Sequence, residues 1–333
     1  MFENTMLRRV ILVASILASA FAAPAAFAQQ QAGTWSVAAP LPQGRSEVQA
    51  ATVNGKVYLF GGGWDEMKDG KAVENYTTGF TSEYDPQTNQ WHERAHGPEG
   101  LTHQGIAVLN GKIYLAGGFA GGHHTISSMG VYSYDPTTDK WQTLAPLSGL
   151  RGAVALASVG GMIHAIGGRV MGEDSTIAVH EVYNPATNIW RPAAPQPTSR
   201  DHVGIFVVDG KIHVIGGRTG EATTNVGLHE IYDPATDKWT SAAPMPTPRS
   251  SVAFAEYRGM LFLAGGECQM GKTYDQVEAY DIKGNRWLTF PALPGPRHAF
   301  AAAVAGDKLY FFGGSTRCGG GGKIPDVLQL TLH

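Results

Sequence analysis

Residues 209–217 read Asp209-Gly210-Lys211-Ile212-His213-Val214-Ile215-Gly216-Gly217; after fourteen intervening residues, at 232–239, comes Tyr232-Asp233-Pro234-Ala235-Thr236-Asp237-Lys238-Trp239. Asp-Gly suits a type I′ turn, which needs positive φ at both central residues, so the apolar run behind it reads as the second strand of a hairpin. Gly-Gly ends that strand. The tyrosine marks a third strand, Asp-Pro turns the chain, and the tryptophan marks a fourth.

The same order recurs along the chain. Gly-Gly pairs stand at 61–62, 117–118, 167–168, 216–217, 265–266 and 313–314, with spacings of 56, 50, 49, 49 and 48 residues. Tryptophans recur in phase at Trp35, Trp91, Trp141, Trp190, Trp239 and Trp287, and tyrosines at Tyr84, Tyr134, Tyr183, Tyr232 and Tyr280. A lone four-stranded sheet cannot bury both faces, whereas several packed radially around an axis can, and a period near fifty residues points to such a propeller.

These motifs resemble the Kelch-repeat family, and the resemblance covers residues 34–333. It implies an all-β, six-bladed β-propeller with four antiparallel strands per blade. Trp35 has no earlier strands of its own repeat before it, and Val327–Leu332 has no tryptophan after it. The N-terminal strand is therefore expected to complete and close the last blade. The family hosts binding modules and enzymes alike, so the resemblance speaks for fold rather than activity.

Hydrophobic residues make up 43% of the 333 and charged residues 16%, which excludes disorder and a long-helix protein. The net charge of −3 with no basic block argues against nucleic acid or an anionic membrane surface as partner. Residues 1–28 read as an export signal peptide: Arg8-Arg9, a short apolar run from Val10 to Ala22, and Ala26-Phe27-Ala28 as cleavage site. The propeller is then a single domain over 29–333 in a periplasmic or secreted protein, and no later stretch is long enough to span a membrane. Cys268 and Cys318 are the two cysteines; they fall in corresponding loops of adjacent blades five and six, so a disulfide is expected.

We name the strands of each repeat a to d. The d–a and b–c loops share one face, and the b–c loops vary most. The first is the longest (63–83) and holds Trp64, the tryptophan out of phase. An arginine precedes strand a in five repeats (Arg45, Arg151, Arg200, Arg249, Arg297), with Leu101 in the other; such a recurring residue is expected to brace each blade against its neighbour. Positions that vary carry the functional information. Two residues after the arginine stand Glu47, His103, Ala153, His202, Ser251 and Ala299; directly after Gly-Gly stand Gly63, Phe119, Arg169, Arg218, Glu267 and Ser315. In Kelch interaction domains these two positions contact ligands. The resemblance thus implicates Arg169, Arg218 and His202, with His103, Glu267 and Glu47 completing a polar ring and Trp64 as a further candidate. Two guanidiniums on neighbouring loops can clamp a carboxylate and a histidine can add a pH-dependent donor, so an anionic ligand is expected unless Glu173, Glu221 or Glu267 neutralises the arginines.

No metal-binding or nucleophile motif appears, and neither metal nor cofactor is expected. His164 and His213 occupy the place of Tyr58, Tyr114 and Tyr310 and read as packing residues; His180 and His229 align as a repeat feature. His123-His124 are neighbours in an extended loop, a poor arrangement for gripping one ion. Copper oxidases of the galactose oxidase type use Kelch blades too, but in a seven-bladed ring with added domains that this chain lacks. The function expected is recognition of a protein or carbohydrate ligand on the d–a/b–c face. The alternative is a carbohydrate isomerase resembling the exported Kelch sialic-acid mutarotases, with Glu267 as acid–base group at the channel mouth; no motif assigns catalytic residues.

Overall fold

The computed structural model describes residues 29–333 apart from 70, 77, 78, 123, 171–175, 222, 269 and 270. The expected export signal, 1–28, lies outside the described residues. Asn54-Gly55 take φ of 50° and 77°, Asn110-Gly111 52° and 75°, and Asp209-Gly210 49° and 73°. These are type I′ values, and each pair closes the hairpin expected of it: Gln49–Val53 on Lys56–Phe60, Gly105–Leu109 on Lys112–Ala116, and Gly204–Val208 on Lys211–Ile215.

In blade four, His229–Asp233 then pairs with Lys211–Ile215, and Lys238–Ser241 with His229–Asp233, giving the antiparallel order a-b-c-d. Blades one, two, three and five repeat that order. In blade six, Ala301–Ala305, Lys308–Phe312 and Val327–Leu332 are followed by Gly33–Ala38 from the other end of the chain, with Trp35 opposite Leu330. The fold is a six-bladed propeller. One strand was not expected: Gln29–Gln30 lies parallel on Leu288 and Thr289 at the edge of blade five. Strand a of blade four begins at Gly204, after His202 turns the chain with φ of 53°.

The core sits between blades. Ala155, Ala157 and Ile166 of blade three pack with Ile212, Val214 and Tyr232 of blade four, each side chain worth up to about 1.5–3 kcal/mol when fully buried. The small residues that open strand a make this approach possible: a Cβ on Gly105 would stand 2.3 Å from Leu156 Cδ1, and one on Gly204 2.9 Å from Leu263 Cδ2.

A polar staple explains the repeated tyrosine and tryptophan. Tyr232 donates its hydroxyl to Asp237 Oδ1 at 2.8 Å, and that oxygen also accepts the Ala194 N–H of the preceding blade at 2.8 Å. Trp239 donates Nε1–H to the Ala194 carbonyl at 3.0 Å. The set recurs as Tyr84–Asn89–Ala39–Trp91, Tyr134–Asp139–Ala95–Trp141 and Tyr183–Asn188–Ala145–Trp190. This staple braces blade to blade. The repeated arginines, expected to do so, instead tie strands of their own blade: Arg200 donates to the Leu228 carbonyl at 3.1 Å and to Glu230 at 2.7 Å.

Cys268 and Cys318 form the expected disulfide, with Cα atoms 5.8 Å apart and 50 residues between them. A loop of that length corresponds to about 4 kcal/mol in the chain-entropy account. Among the described residues no helix is long and apolar enough to cross a membrane.

His164 and His213 are buried packing residues, each hydrogen-bonded ring to ring with its strand-c neighbour: His164 Nδ1 to His180 Nε2 at 2.9 Å, His213 Nδ1 to His229 Nε2 at 2.8 Å. Burial pushes all four imidazoles down to about 4. An unfolded histidine titrates near 6.5, so below that pH the unfolded chain takes up protons the folded one refuses. Stability should therefore be full above about pH 6.5 and fall as the pH drops towards 4. Replacing His164→Tyr with His180→Val, the residue types of blade two, should flatten the loss of urea midpoint between pH 7 and 4.5; an unchanged slope means the imidazoles are not its source. Deleting residues 29–38 removes the last strand of blade six and should lower the melting temperature by at least about 10 °C. A deletion variant that melts with the parent would show that this strand adds nothing.

Candidate functional site at the channel mouth

The residue two after each repeated arginine position builds the mouth. Glu47, His103, Ala153, His202, Ser251 and Ala299 all take φ between 49° and 57°. That left-handed conformation costs a residue with a Cβ about 1–2 kcal/mol, so something must hold it. Backbone bonds run from one to the next around the axis. Glu47 N–H donates to Ala299 O at 2.7 Å, Ala299 to Ser251 O at 3.1 Å, Ser251 to His202 O at 3.1 Å, and Ala153 to His103 O at 2.9 Å. The six line an axial cavity of about 70 Å³. Beside this collar, the residues after Gly-Gly are held by single antiparallel bridges: Arg169 to Gly152, Arg218 to Asp201, Glu267 to Ser250.

The structure brings six of the seven candidate ligand residues to one place. Arg218 Nε donates to Asp201 Oδ1 at 2.8 Å and Nη1 to Glu267 Oε2 at 3.2 Å. Arg169 Nη1 stands 3.5 Å from Asp201 Oδ2, and its Nη2 3.7 Å from Glu221. His202 Nδ1 meets Asp201 Oδ1 at 2.5 Å, and His103 Nε2 meets Glu47 Oε2 at 3.0 Å. Arg169 and Arg218 are only 2% and 3% exposed. They share one carboxylate of their own chain and do not stand at the rim as an open clamp. Trp64 does not join the ring. It is buried in the first b–c loop, paired in register with Arg45, and packs edge-on to Phe80 at 4.9 Å. Glu173 lies outside the described residues.

Two members went unforeseen. Asp201 is the acidic member of a column that reads Ser46, Thr102, Gly152, Asp201, Ser250 and His298, and reading that column across the repeats would have found it. His124 stands in the b–c loop of blade two, and these loops differ in length and sequence from blade to blade, so no column points to it. Beside His123 it makes a poor chelating pair, but its ring meets two collar histidines at the mouth. Its ring centroid lies 4.8 Å from His103 and 5.3 Å from His202, and those two are 5.0 Å apart. One ring nitrogen from each of the three lies within 4.8 Å of the others, a convergence that no sequence motif announces.

Electrostatics follow from burial. Burial would raise the Asp201 carboxyl, but His202, Arg218 and Arg169 outweigh it and hold it at about 2. Burial likewise acts to raise Glu267, and His298 and Arg218 bring it below the usual carboxylate range. Burial lowers His202, assisted by Arg218, and lowers His124, assisted by His103 and His202, so both rings are neutral at pH 7.

A second feature lies on the same face. Ile126, Met129, Leu150 and Val179 are 62%, 39%, 52% and 42% exposed. Ile126, Leu150 and Val179 edge an apolar cleft of about 380 Å³ between blades two and three, with Val170 and Ile177 in its wall, and Met129 lines a neighbouring hollow. The loops that form it are tied by Leu147 N–H to Met129 O at 2.9 Å and Arg151 N–H to Ser128 O at 3.0 Å.

Asp201 is the group on which the charged ring converges. Asp201→Ala leaves two buried guanidiniums without their shared partner and should cost about 3–5 kcal/mol in chemical denaturation. A loss under about 1 kcal/mol would mean that the arginines do not depend on it.

Residues 150–314 match the family model described as the KLHDC2/KLHL20/DRC7 Kelch-repeats domain, and residues 101–148 match the Kelch motif. The chain is 32% identical over 154 residues to the Kelch-like protein terF of Aspergillus terreus, covering 44% of this chain and 32% of that protein. It is 30% identical over 134 residues to beta-scruin of Limulus polyphemus, covering 40% of this chain and 14% of that protein. The chain thus matches about a third or less of the length of these relatives. Among solved structures, that of YjhT superposes with a TM-score of 0.71 at 17% identity, covering 89% of this chain and 97% of the other.

Proposed function

Because the chain belongs to the Kelch-repeat family, we propose that it is a protein-recognition module that takes its partner on the d–a/b–c face, in the apolar cleft between blades two and three. Kelch propellers are generally protein-interaction modules. The observation that carries the reading is the group of exposed apolar side chains Ile126, Leu150 and Val179 at this cleft, with Met129 in the adjoining hollow, held on loops pinned to a stiff scaffold. Contiguous exposed apolar surface of this kind marks interaction sites, and rigid loops spare a partner the entropy of ordering them. The export pattern of 1–28 and the disulfide support reading that partner as one met in an oxidising, extracytoplasmic space.

The carbohydrate-isomerase alternative has less support. Small-molecule sites usually enclose about 300–1,000 Å³. The axial cavity lined by Glu47, His103 and His202 holds about 70 Å³, room for ions and waters rather than a sugar. An anionic ligand would have to displace Asp201 or Glu267 from the two arginines.

A photo-crosslinking residue at Leu150, in protein produced in its own cells, should give a discrete adduct with another protein, while one at Gln87 in a c–d turn of the opposite face should not. Purified partner should bind Ile126→Asp with Leu150→Asp at least about tenfold more weakly, a loss of about 1.4 kcal/mol. Equal crosslinking from both faces, unchanged affinity in the double variant, or binding to a glycan array without any protein adduct would overturn the reading.

A further inference from the structure

Three imidazoles from three separate parts of the chain meet over the axial cavity. His103 and His202 are collar residues, and His124 comes from the b–c loop of blade two, between the short strands Phe119–Ala120 and Ile126–Ser127 and the rest of that blade's sheet. Solvated loop histidines do not need to converge, and nothing in the packing of the propeller calls for three of them here. We propose that His103, His124 and His202 form a three-nitrogen site for a divalent transition-metal ion of the zinc class at the channel mouth.

Four observations carry it. First, the ligand nitrogens already lie within 4.8 Å of one another. Ions of this class bind imidazole at about 2.0–2.1 Å, which in a tetrahedron sets neighbouring nitrogens about 3.3 Å apart. The closure still needed is about 1.5 Å at most. His124 can supply it, because the backbone collar does not include that residue.

Second, the tautomer of His202 suits a ligand. Its Nδ1 faces the Asp201 carboxylate at 2.5 Å, which leaves the Nε2 lone pair pointing to the centre. Carboxylate behind imidazole is the usual support of a metal-bound histidine. His103 has its Nδ1 2.8 Å from the Thr102 hydroxyl.

Third, two of the nitrogens already face one cation. Arg218 Nη2 stands 3.4 Å from both His124 Nε2 and His202 Nε2. The guanidinium marks a point on which imidazole lone pairs converge, and a metal ion would compete with it there. Arg218 keeps Asp201 and Glu267 as partners if it withdraws.

Fourth, the charge balance admits a dication. Three carboxylates (Glu47, Asp201, Glu267) surround two guanidiniums (Arg169, Arg218), and the Glu47 carboxylate, 3.0 Å from His103 Nε2, is placed to act as an oxygen ligand. Three imidazole nitrogens with the Glu47 carboxylate complete a four-ligand set, the number a tetrahedral zinc ion takes. Imidazole-rich sets of this kind also take copper(II), nickel(II) and cobalt(II), in the order of their general affinities.

The test uses the whole protein after treatment with chelator. Zinc chloride titrated into it, followed by calorimetry and by metal content after dialysis, should give one ion per chain. Cobalt(II) should give the visible bands of an imidazole-bound ion. His124→Ala, on a loop outside the core, should keep the metal-free melting temperature of the parent and bind zinc at least about a hundredfold more weakly, no less than loss of a supporting group costs. His202→Asn, which tolerates the left-handed backbone, should weaken zinc binding likewise, whatever it does to the metal-free melting temperature, while His96→Ala, at an exposed histidine remote from the trio, should bind as the parent does. Failure of the parent to hold one ion, or an affinity that His124→Ala leaves unchanged, overturns the proposal.

Discussion

Six residues in an unfavourable backbone conformation govern the site. Each left-handed residue of the collar would relax if freed, and each is held by a backbone bond to a neighbouring blade where that bond is formed. The constraint has a directional consequence. A left-handed residue between the arginine and strand a turns its side chain into the axis, so whatever stands at that position faces the same cavity. Alanine or serine leaves space there; glutamate and histidine fill it with chemistry. The polar ring is thus a by-product of blade geometry, filled by a handful of substitutions.

The collar in turn depends on how firmly the blades are set against one another. Hydrophobic burial between sheets supplies most of the energy but little directional preference. The tyrosine–Asx–alanine–tryptophan staple supplies direction, since one side-chain oxygen serves a hydroxyl of its own blade and an N–H of the preceding one. Blade six, made from both ends of the chain, joins the same scheme through Ala39, whose N–H and carbonyl bind Asn89 and Trp91. A scaffold held in this way can keep two guanidiniums, a carboxylate and three imidazoles in a small volume without collapse of the site.

Much of this was legible in the sequence because repetition multiplies weak signals. One Gly-Gly is a turn; six in phase, with tyrosine and tryptophan in step, are a propeller, and the same alignment put Cys268 beside Cys318. Comparing columns also reached Arg169, Arg218, His202, His103, Glu267 and Glu47 as neighbours. Their depth was not legible. Aligned positions do not reveal that Asp201 sits beneath both arginines, which turns an apparent anion clamp into an internal ion pair. His124 was not legible for a different reason: its b–c loop varies too much between blades to align, and its partners are distant in sequence. Trp64, singled out for being out of phase, proved to be local packing within an enlarged loop, against Phe80.

The account rests on the collar being a formed and rigid element. Amide hydrogen exchange of the intact protein, resolved by residue, reads this directly. Glu47, Ala153, Ser251 and Ala299 should exchange as slowly as core amides such as Val214, because their N–H groups open only when blades separate. Exchange at these four on the timescale of the exposed a–b turns, with Val214 still protected, would contradict it: the collar would then be open in solution, and the residues at the channel mouth would not be held together.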